Sequence, residues 1–192
     1  MLAIKPANVS FGEAAALPGA AMTALICLGR VNIEKESSSS AVRLKVLING
    51  ASGAVGTNAV QIAKYFGAEV TAVCSTSNID LVKSIGADSV IDYTKEDFTK
   101  RVLSYDVVFD AVGMVPAARA KMALKENGIY LNVLRHSGSG EVLGDLLKIK
   151  DFVEKGYLKT VIDRSYSLEQ IPEAHEYVQK GHKKGNVVIR VI

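Results

Sequence analysis

The segment that most constrains this chain is Val46-Leu-Ile-Asn-Gly-Ala-Ser-Gly-Ala-Val-Gly56. It starts in an apolar run (44–48, LKVLI), passes through a glycine-rich turn, and enters a stretch with Val55, Ala59, Ile62, Ala63 and Phe66 at helical spacing. Gly67 stands where a helix C-cap belongs, and 69–74 (EVTAVC) then reads as a second strand. Strand, glycine turn, amphipathic helix and strand, in that order, is the setting of the dinucleotide fingerprint G-x-G-x-x-G. Ala51 takes the first position, and Gly53 and Gly56 take the other two. Gly53 would let the backbone approach a pyrophosphate, and Gly56 would let the helix pack close to the strand. The first N–H groups of that helix would face the phosphates. The alternative is a plain tight turn in an unrelated α/β domain.

Further along, strand-like and helix-like segments keep alternating. Strands are predicted at 89–91, 105–109, 128–133 and 186–191. Helices are predicted at 78–85, from the cap-like Thr94-Lys95-Glu96-Asp97 toward 103, at 116–124 and at 142–155. Another follows the capping box Ser167-Leu168-Glu169-Gln170 and runs to 180. Glu126-Asn127-Gly128 reads as a turn, 136–140 (HSGSG) as a flexible loop, and the serine run 37–40 as a surface loop; there is no internal repeat. The alternation predicts an α/β fold, a Rossmann-like doubly wound parallel sheet with helices on both faces.

Composition narrows the partners. With 192 residues, 48% of them hydrophobic, the chain can bury a core, and disorder, collagen and coiled coil are excluded. A net charge of +3 (23 basic, 20 acidic) is too weak to argue for nucleic acid or an anionic membrane. Cys27 and Cys74 are the only cysteines, too few for a disulfide framework or a zinc ribbon. His136, His175 and His182 lack a second ligand at metal spacing, so no metal site is expected and these read as surface or capping histidines. The uncharged run 14–29 is shorter than a membrane span and Pro18-Gly19 interrupts it; with no basic leader either, a cytoplasmic protein with reduced thiols is the expectation. No Lys-Ser/Thr follows the last glycine of the turn, which excludes a triphosphatase phosphate loop. Ser52 is followed directly by Gly53, which excludes a nucleophile elbow.

The end of the second strand bears on cofactor choice. An Asp or Glu there would bind a ribose 2′-hydroxyl and repel a 2′-phosphate. This chain has Cys74-Ser75-Thr76-Ser77-Asn78, hydroxyls and no acid, which favours NADPH over NADH by elimination; an ordinary polar loop fits the same residues.

These residues also carry a family resemblance. INGASGAVGTNAVQIAKYFGAEVTAVCSTSN with LVKSIGADSVIDYTKEDF resembles the zinc-independent quinone oxidoreductases of the medium-chain dehydrogenase/reductase superfamily, as do the first segment (KPANVSFGEAAALPGAAMTAL) and the last (GYLKTVIDRSYSLEQIPEAHEYVQKGHKKGNVVIRV). The resemblance implies one dinucleotide-binding domain over 1–192, with 1–40 as a lead-in helix and loop and 156–192 as a closing strand, helix and strand. It implies that Ala51, Ser52, Gly53, Ala54, Val55 and Gly56 cradle a pyrophosphate. Ser75, Thr76 and Ser77 would surround the 2′-phosphate, with Tyr93 near the adenosine. Asp110, Ala111 and Val112 would lie beside the nicotinamide ribose, bordered by Val133 and Leu134, and Thr23 would approach the carboxamide. For Tyr93, Val133 and Leu134 plain core packing is the alternative.

The chain departs from the family pattern in three places. The family's N-terminal substrate domain is missing, and the active cleft would lie between it and this part. A Lys or Arg often found near the position of Ser77 or Asn78 is missing; His182, Lys183 or Lys184 could supply that charge, or form a solvated basic turn. The sixth sheet strand is missing between NVLRHSGSGEVL and LLKIKDFVEKG, which puts a homodimer paired through that edge in doubt. The implied activity is NADPH-dependent reduction of quinones or α,β-unsaturated carbonyls, with no catalytic residue identifiable. A non-catalytic NADP(H)-binding module and a relative of the zinc alcohol dehydrogenases are the alternatives.

Overall fold

The structure is a computed structural model and describes residues 2–31, 33, 43–102, 104–138 and 142–191. The serine run 37–40, the end of the segment predicted helical toward 103, and the last two residues of the predicted loop 136–140 lie outside these. The first element is helix α1 (Phe11–Gly29). Ser10 opens it with a capping box: Glu13 N donates to Ser10 Oγ at 3.2 Å, and Ser10 N to Glu13 Oε2 at 2.8 Å. Contrary to expectation, Pro18-Gly19 does not interrupt this helix. Pro18 lacks the N–H that would bond one turn back, but it sits on the exposed side, where solvent can satisfy the freed carbonyl. By length and apolarity α1 could cross a membrane, yet it buries Leu17, Ala21, Ala24, Leu25 and Leu28 as a core helix does.

Five parallel strands follow: β1 (Lys45–Asn49), β2 (Glu69–Cys74), β3 (Ser89–Asp92), β4 (Tyr105–Asp110) and β5 (Leu124–Asn132), ordered β3-β2-β1-β4-β5. Between them run α2 (Ala54–Tyr65), α3 (Ile79–Ser84) and α4 (Ala117–Ala123). After them come the single turn α5 (Val133–His136) and α6 (Val142–Glu154). The strands alternate at period two between two buried faces, the pattern of a covered parallel sheet. Val46, Ile48, Val70, Ala72, Val107 and Phe109 pack with α1, α2, α3 and α6. Leu47, Val73, Val108 and Ile91 face the other side, where Ala120 and Ala123 of α4 and Phe98 cover them. The sheet is therefore doubly wound, with helices on both faces.

Three local expectations are corrected. Over the described residues 94–102 the predicted helix is replaced by a 3-10 turn, Phe98–Lys100, capped by Asp97 through Thr99 N. Asp92 at the end of β3 holds Thr94 instead, accepting from its hydroxyl and from its backbone N–H. Glu126-Asn127-Gly128 lies inside β5, which starts at Leu124; the register against β4 shifts there, so the extra residues form an irregularity in the edge strand and not a turn. His136 belongs to α5, where its Nδ1 accepts the Asn132 N–H at 2.8 Å. No sixth strand joins this sheet among the described residues.

The C-terminal part is β6 (Ile162–Ser167), a 3-10 turn, α7 (Ile171–Gln179) and β7 (Asn186–Arg190), with β6 and β7 paired parallel in a separate sheet. Two of the joints that hold it to the rest lie near the glycine turn and along α2. Buried Gln61 of α2 reads the Lys159 backbone both ways, accepting from its N–H at 2.8 Å and donating to its carbonyl at 3.0 Å. Gly185 N donates to Ser52 O at 2.8 Å, beside an isolated bridge between Gly53 and Gly185.

The two glycines of the fingerprint differ in what they require. A Cβ on Gly56 would lie 2.1 Å from Gly50 O and 2.7 Å from Ala51 Cα, whereas one on Gly53 would meet Gly50 O at 3.4 Å. Gly53 also has an ordinary extended conformation, φ −79° and ψ 177°, so the fold itself accepts a side chain there. In an unconstrained helix, Gly→Ala stabilises by up to about 1 kcal/mol. Here Gly56→Ala is expected to destabilise by at least about 1–3 kcal/mol, because backbone must move. Gly53→Ala is expected to stay within about 1 kcal/mol of wild type. Denaturant unfolding of both variants checks this, and equal losses would contradict it.

Candidate functional site

Strand order reverses between β1 and β4, so their carboxyl ends diverge and leave a crevice, the place where open α/β sheets bind ligands. Two loops meet there. Gly50 turns the chain with φ +75°, and a Cβ on it would lie 2.5 Å from Val112 Cγ2 in the loop after β4. Ala111 N donates to Asn49 O at 3.0 Å across the same junction. Above them opens a cavity of about 580 Å³. The glycine turn (Gly50, Ser52, Gly53, Ala54, Val55), the end of β2 (Ser75, Ser77, Asn78) and Tyr93 line it, with Ala111 and Val112 and the late turn Gly181-His182-Lys183.

At the floor, α2 begins at Ala54 with Gly53 as its cap and no side-chain capping bond. Gly53 N is used by Gly50 O and Thr57 N by Gly53 O, so the intervening first-turn N–H groups have no partner one turn back. They and the helix dipole favour an anion at this point.

The end of β2 forms a shelf of hydroxyls. Ser75 Oγ and Ser77 Oγ lie 3.2 Å apart, and Asn78 Nδ2 donates to Ser75 Oγ at 3.2 Å and to Ser52 Oγ at 3.1 Å, tying the shelf to the glycine turn. Asn78 is 8% exposed and its Oδ1 has no protein partner. Behind the shelf, Asp92 ends β3 opposite Cys74. Its carboxylate accepts from Thr76 Oγ1, from Thr94 Oγ1 at 2.7 Å and from Thr94 N at 3.0 Å, with Lys95 Nζ at 3.5 Å. The Thr76 hydroxyl is thus turned away from the cavity. The hydrogen bond from Thr76, then that from Thr94, hold the Asp92 carboxyl down to about 2.

A second carboxylate, Asp110, is fully buried at the end of β4. Asn49 Nδ2 (2.9 Å), Val112 N (3.1 Å), Val115 N (2.7 Å), Tyr130 OH (3.3 Å) and Asn132 Nδ2 (3.5 Å) all point at it. These neutral donors bind the loop 111–115 to three strand ends. Burial foremost, with the Asp110 charge adding to it, pushes the Tyr130 phenol up. Cys27 and Cys74 are free and buried, and burial pushes both thiols up to about 11.

Of the residues expected at the site, Ser52, Gly53, Ala54, Val55, Ser75, Ser77, Tyr93, Ala111 and Val112 come together around the cavity. Ala51, Gly56 and Asp110 are buried behind its wall, and Thr76 is held by Asp92. Thr23 lies outside the lining, its hydroxyl bonded back to Gly19 O at 2.7 Å. Tyr93 and Leu134 are 57% and 76% exposed, which overturns core packing for both; Val133 does pack partly against the core. Gly50 and Asn78 were missed. The Asn49-Gly50 dipeptide, a turn signal with a positive-φ glycine, could have flagged the first. No group of three or more His, Cys, Asp or Glu able to hold a metal occurs among the described residues.

The Asp92 geometry gives a pH prediction. Its folded pKa lies below an ordinary carboxylate's, so its stabilising effect is complete above about pH 4 and lost as pH falls through about 2. Carboxyl NMR titration is expected to show Asp92 ionised down to about pH 2, and Thr76→Val is expected to raise that midpoint. An ordinary midpoint in wild type would contradict the network.

Comparison with known proteins agrees with this architecture. Two family models, both described as zinc-binding dehydrogenase, match residues 54–138 and 117–189. The chain is 38% identical to a 2-methylene-furan-3-one reductase of Solanum lycopersicum, over 100% of this chain and 50% of that protein. It is 36% identical to the chloroplastic NADPH-dependent alkenal/one oxidoreductase of Arabidopsis thaliana, over 98% of this chain and 50% of that protein. The chain therefore spans about half the length of these curated relatives. The solved quinone oxidoreductase of Coxiella burnetii superposes with a TM-score of 0.79 at 27% identity, covering 99% of this chain and 64% of that one. Doubly wound sheet, glycine turn and these matches together place the chain in the medium-chain dehydrogenase/reductase superfamily, as its cofactor-binding part.

Proposed function

We propose that this chain is the dinucleotide-binding part of an NADPH-dependent oxidoreductase that reduces quinones or α,β-unsaturated carbonyls. The observation that carries the reading is the single cavity joining the glycine turn, an acid-free hydroxyl shelf and the loop after β4. The residues present fit such a cofactor: unpaired helix N–H groups suit a pyrophosphate, and the hydroxyls of Ser75 and Ser77 suit a 2′-phosphate. The unpartnered Asn78 Oδ1 beside them is a polar group left for a ligand or solvent to satisfy. When bound, the nicotinamide supplies the hydride that such reductions require. The chain's own residues bind and orient: Ala54 and Val55 through their backbone, Ser75 and Ser77 through their hydroxyls, and Ala111 and Val112 as an apolar wall that keeps water from one side of the site. The names of the reductases that this chain resembles support the substrate class.

A second reading has its own observation. Because the chain spans half of its relatives, the site on this part can bind the cofactor without turning over substrate. Titration of NADPH fluorescence, followed by an NADPH-oxidation assay with a quinone and an enone, separates the two. Binding with turnover supports the reductase, binding alone supports the module, and no binding overturns both.

Cofactor choice is tested at Ser75. Ser75→Asp places a carboxylate on the shelf, which is expected to repel a 2′-phosphate and to accept from a free ribose hydroxyl. The expected swing toward NADH is about 1–3 kcal/mol, roughly ten- to hundredfold in the ratio of dissociation constants. It is expected to shrink as salt rises, since this shelf faces solvent. An unchanged ratio, or a wild type that already prefers NADH, would contradict the assignment.

A further inference from the structure

The cavity is lined by no carboxylate among the described residues, and two carboxylates, Asp92 and Asp110, stand behind its walls. A ligand bearing a pyrophosphate brings at least two negative charges into that field. The unpaired N–H groups of α2 supply only partial positive charge, equivalent to about half an elementary charge. Among the lining residues, Lys183 is the one with a formal positive charge, and it arrives from the far end of the chain.

Its position is fixed by Gly185. Gly185 N donates to Ser52 O at 2.8 Å, and the bridge to Gly53 seats the segment directly on the glycine turn. Gly185 has φ +52°, and a Cβ there would lie 2.4 Å from Val161 O, so the joint needs glycine. The turn Gly181-His182-Lys183 is thereby held over Ser52 and Gly53, nearer the pyrophosphate floor than a swinging surface loop would be. Lys183 Nζ donates to Gly185 O at 2.7 Å, which braces the half-buried side chain along its own turn. An ammonium has three donors, so two remain for an incoming anion. Burial lowers the Lys183 pKa and the nearby Asp163 carboxylate opposes that shift.

We propose that Lys183 is a cofactor-binding residue that pairs with the pyrophosphate of the dinucleotide, reaching it from the segment seated on the glycine turn. This rests on the dinucleotide reading given above. It assigns the basic turn 181–184 a ligand and makes the joint at Gly185 part of the binding site.

The test compares wild type, Lys183→Gln and Lys183→Arg by fluorescence titration of NADPH and of NADH at low and high salt. Glutamine keeps a donor for Gly185 O while removing the charge, and matching thermal melts confirm that the turn is intact. Lys183→Gln is expected to weaken both dinucleotides about tenfold at low salt and to flatten the salt dependence, with Lys183→Arg within about threefold of wild type. A structural role alone would leave the salt dependence unchanged. If wild type binds and Lys183→Gln binds equally well, the Lys183 assignment falls and the dinucleotide site stands. If only NADPH is weakened, the amine meets the 2′-phosphate and the pyrophosphate assignment is overturned. A wild type that binds neither dinucleotide overturns the underlying reading and this one with it.

Discussion

The ligand end of this molecule depends on how closely α2 approaches β1. Gly56 sits so near Gly50 O and Ala51 Cα that even a methyl group has no room. That contact sets the helix axis against the end of the strand, and the axis decides where the first N–H groups point. The same approach requires the positive φ at Gly50, which brings the turn against Val112 and fixes the loop after β4 beside it. One backbone contact thus positions two of the cavity's walls.

Two carboxylates organise the remaining walls from behind. Asp92 gathers Thr76 and Thr94 and so orients the shelf of Ser75 and Ser77. Asp110 gathers the backbone of the loop 111–115 with side chains from β1 and β5. Each is fully engaged by donors, so its charge orders protein and is not presented to a ligand. A cleft with ordered walls, no acid on its surface and helix N–H groups at its floor is suited to a polyanion.

Much of this was legible in the sequence because the strong signals are local. Val46 to Gly56 contains the strand, the glycine spacing and the start of α2, and residues 69–78 show hydroxyls where an acid would otherwise stand. What was not legible depends on tertiary partners. Thr94 and Asp97 looked like the start of a helix, but Asp92 captures the Thr94 side chain and backbone, and only a 3-10 turn follows. Glu126-Asn127-Gly128 has turn residues, yet β4 draws it into an edge strand with an irregular register. Pro18 reads as a helix breaker, and its exposed position in α1 removes most of that penalty. The sequence offered Lys183, beside His182 and Lys184, as a charge for a phosphate, but its seat on the glycine turn was not legible, because that meeting spans more than a hundred residues of chain and is made through Gly185.

The central claim is that one cavity at the β1–β4 switch point binds a dinucleotide. Amide chemical-shift mapping during an NADPH titration of the isotopically labelled chain tests it most directly. The account predicts saturable shifts concentrated at residues 50–55, 75–78, 111–112 and 181–185, with little change on α6 or at the outer face of α7. Saturable shifts centred elsewhere, or none at cofactor concentrations well above the millimolar range, would contradict it.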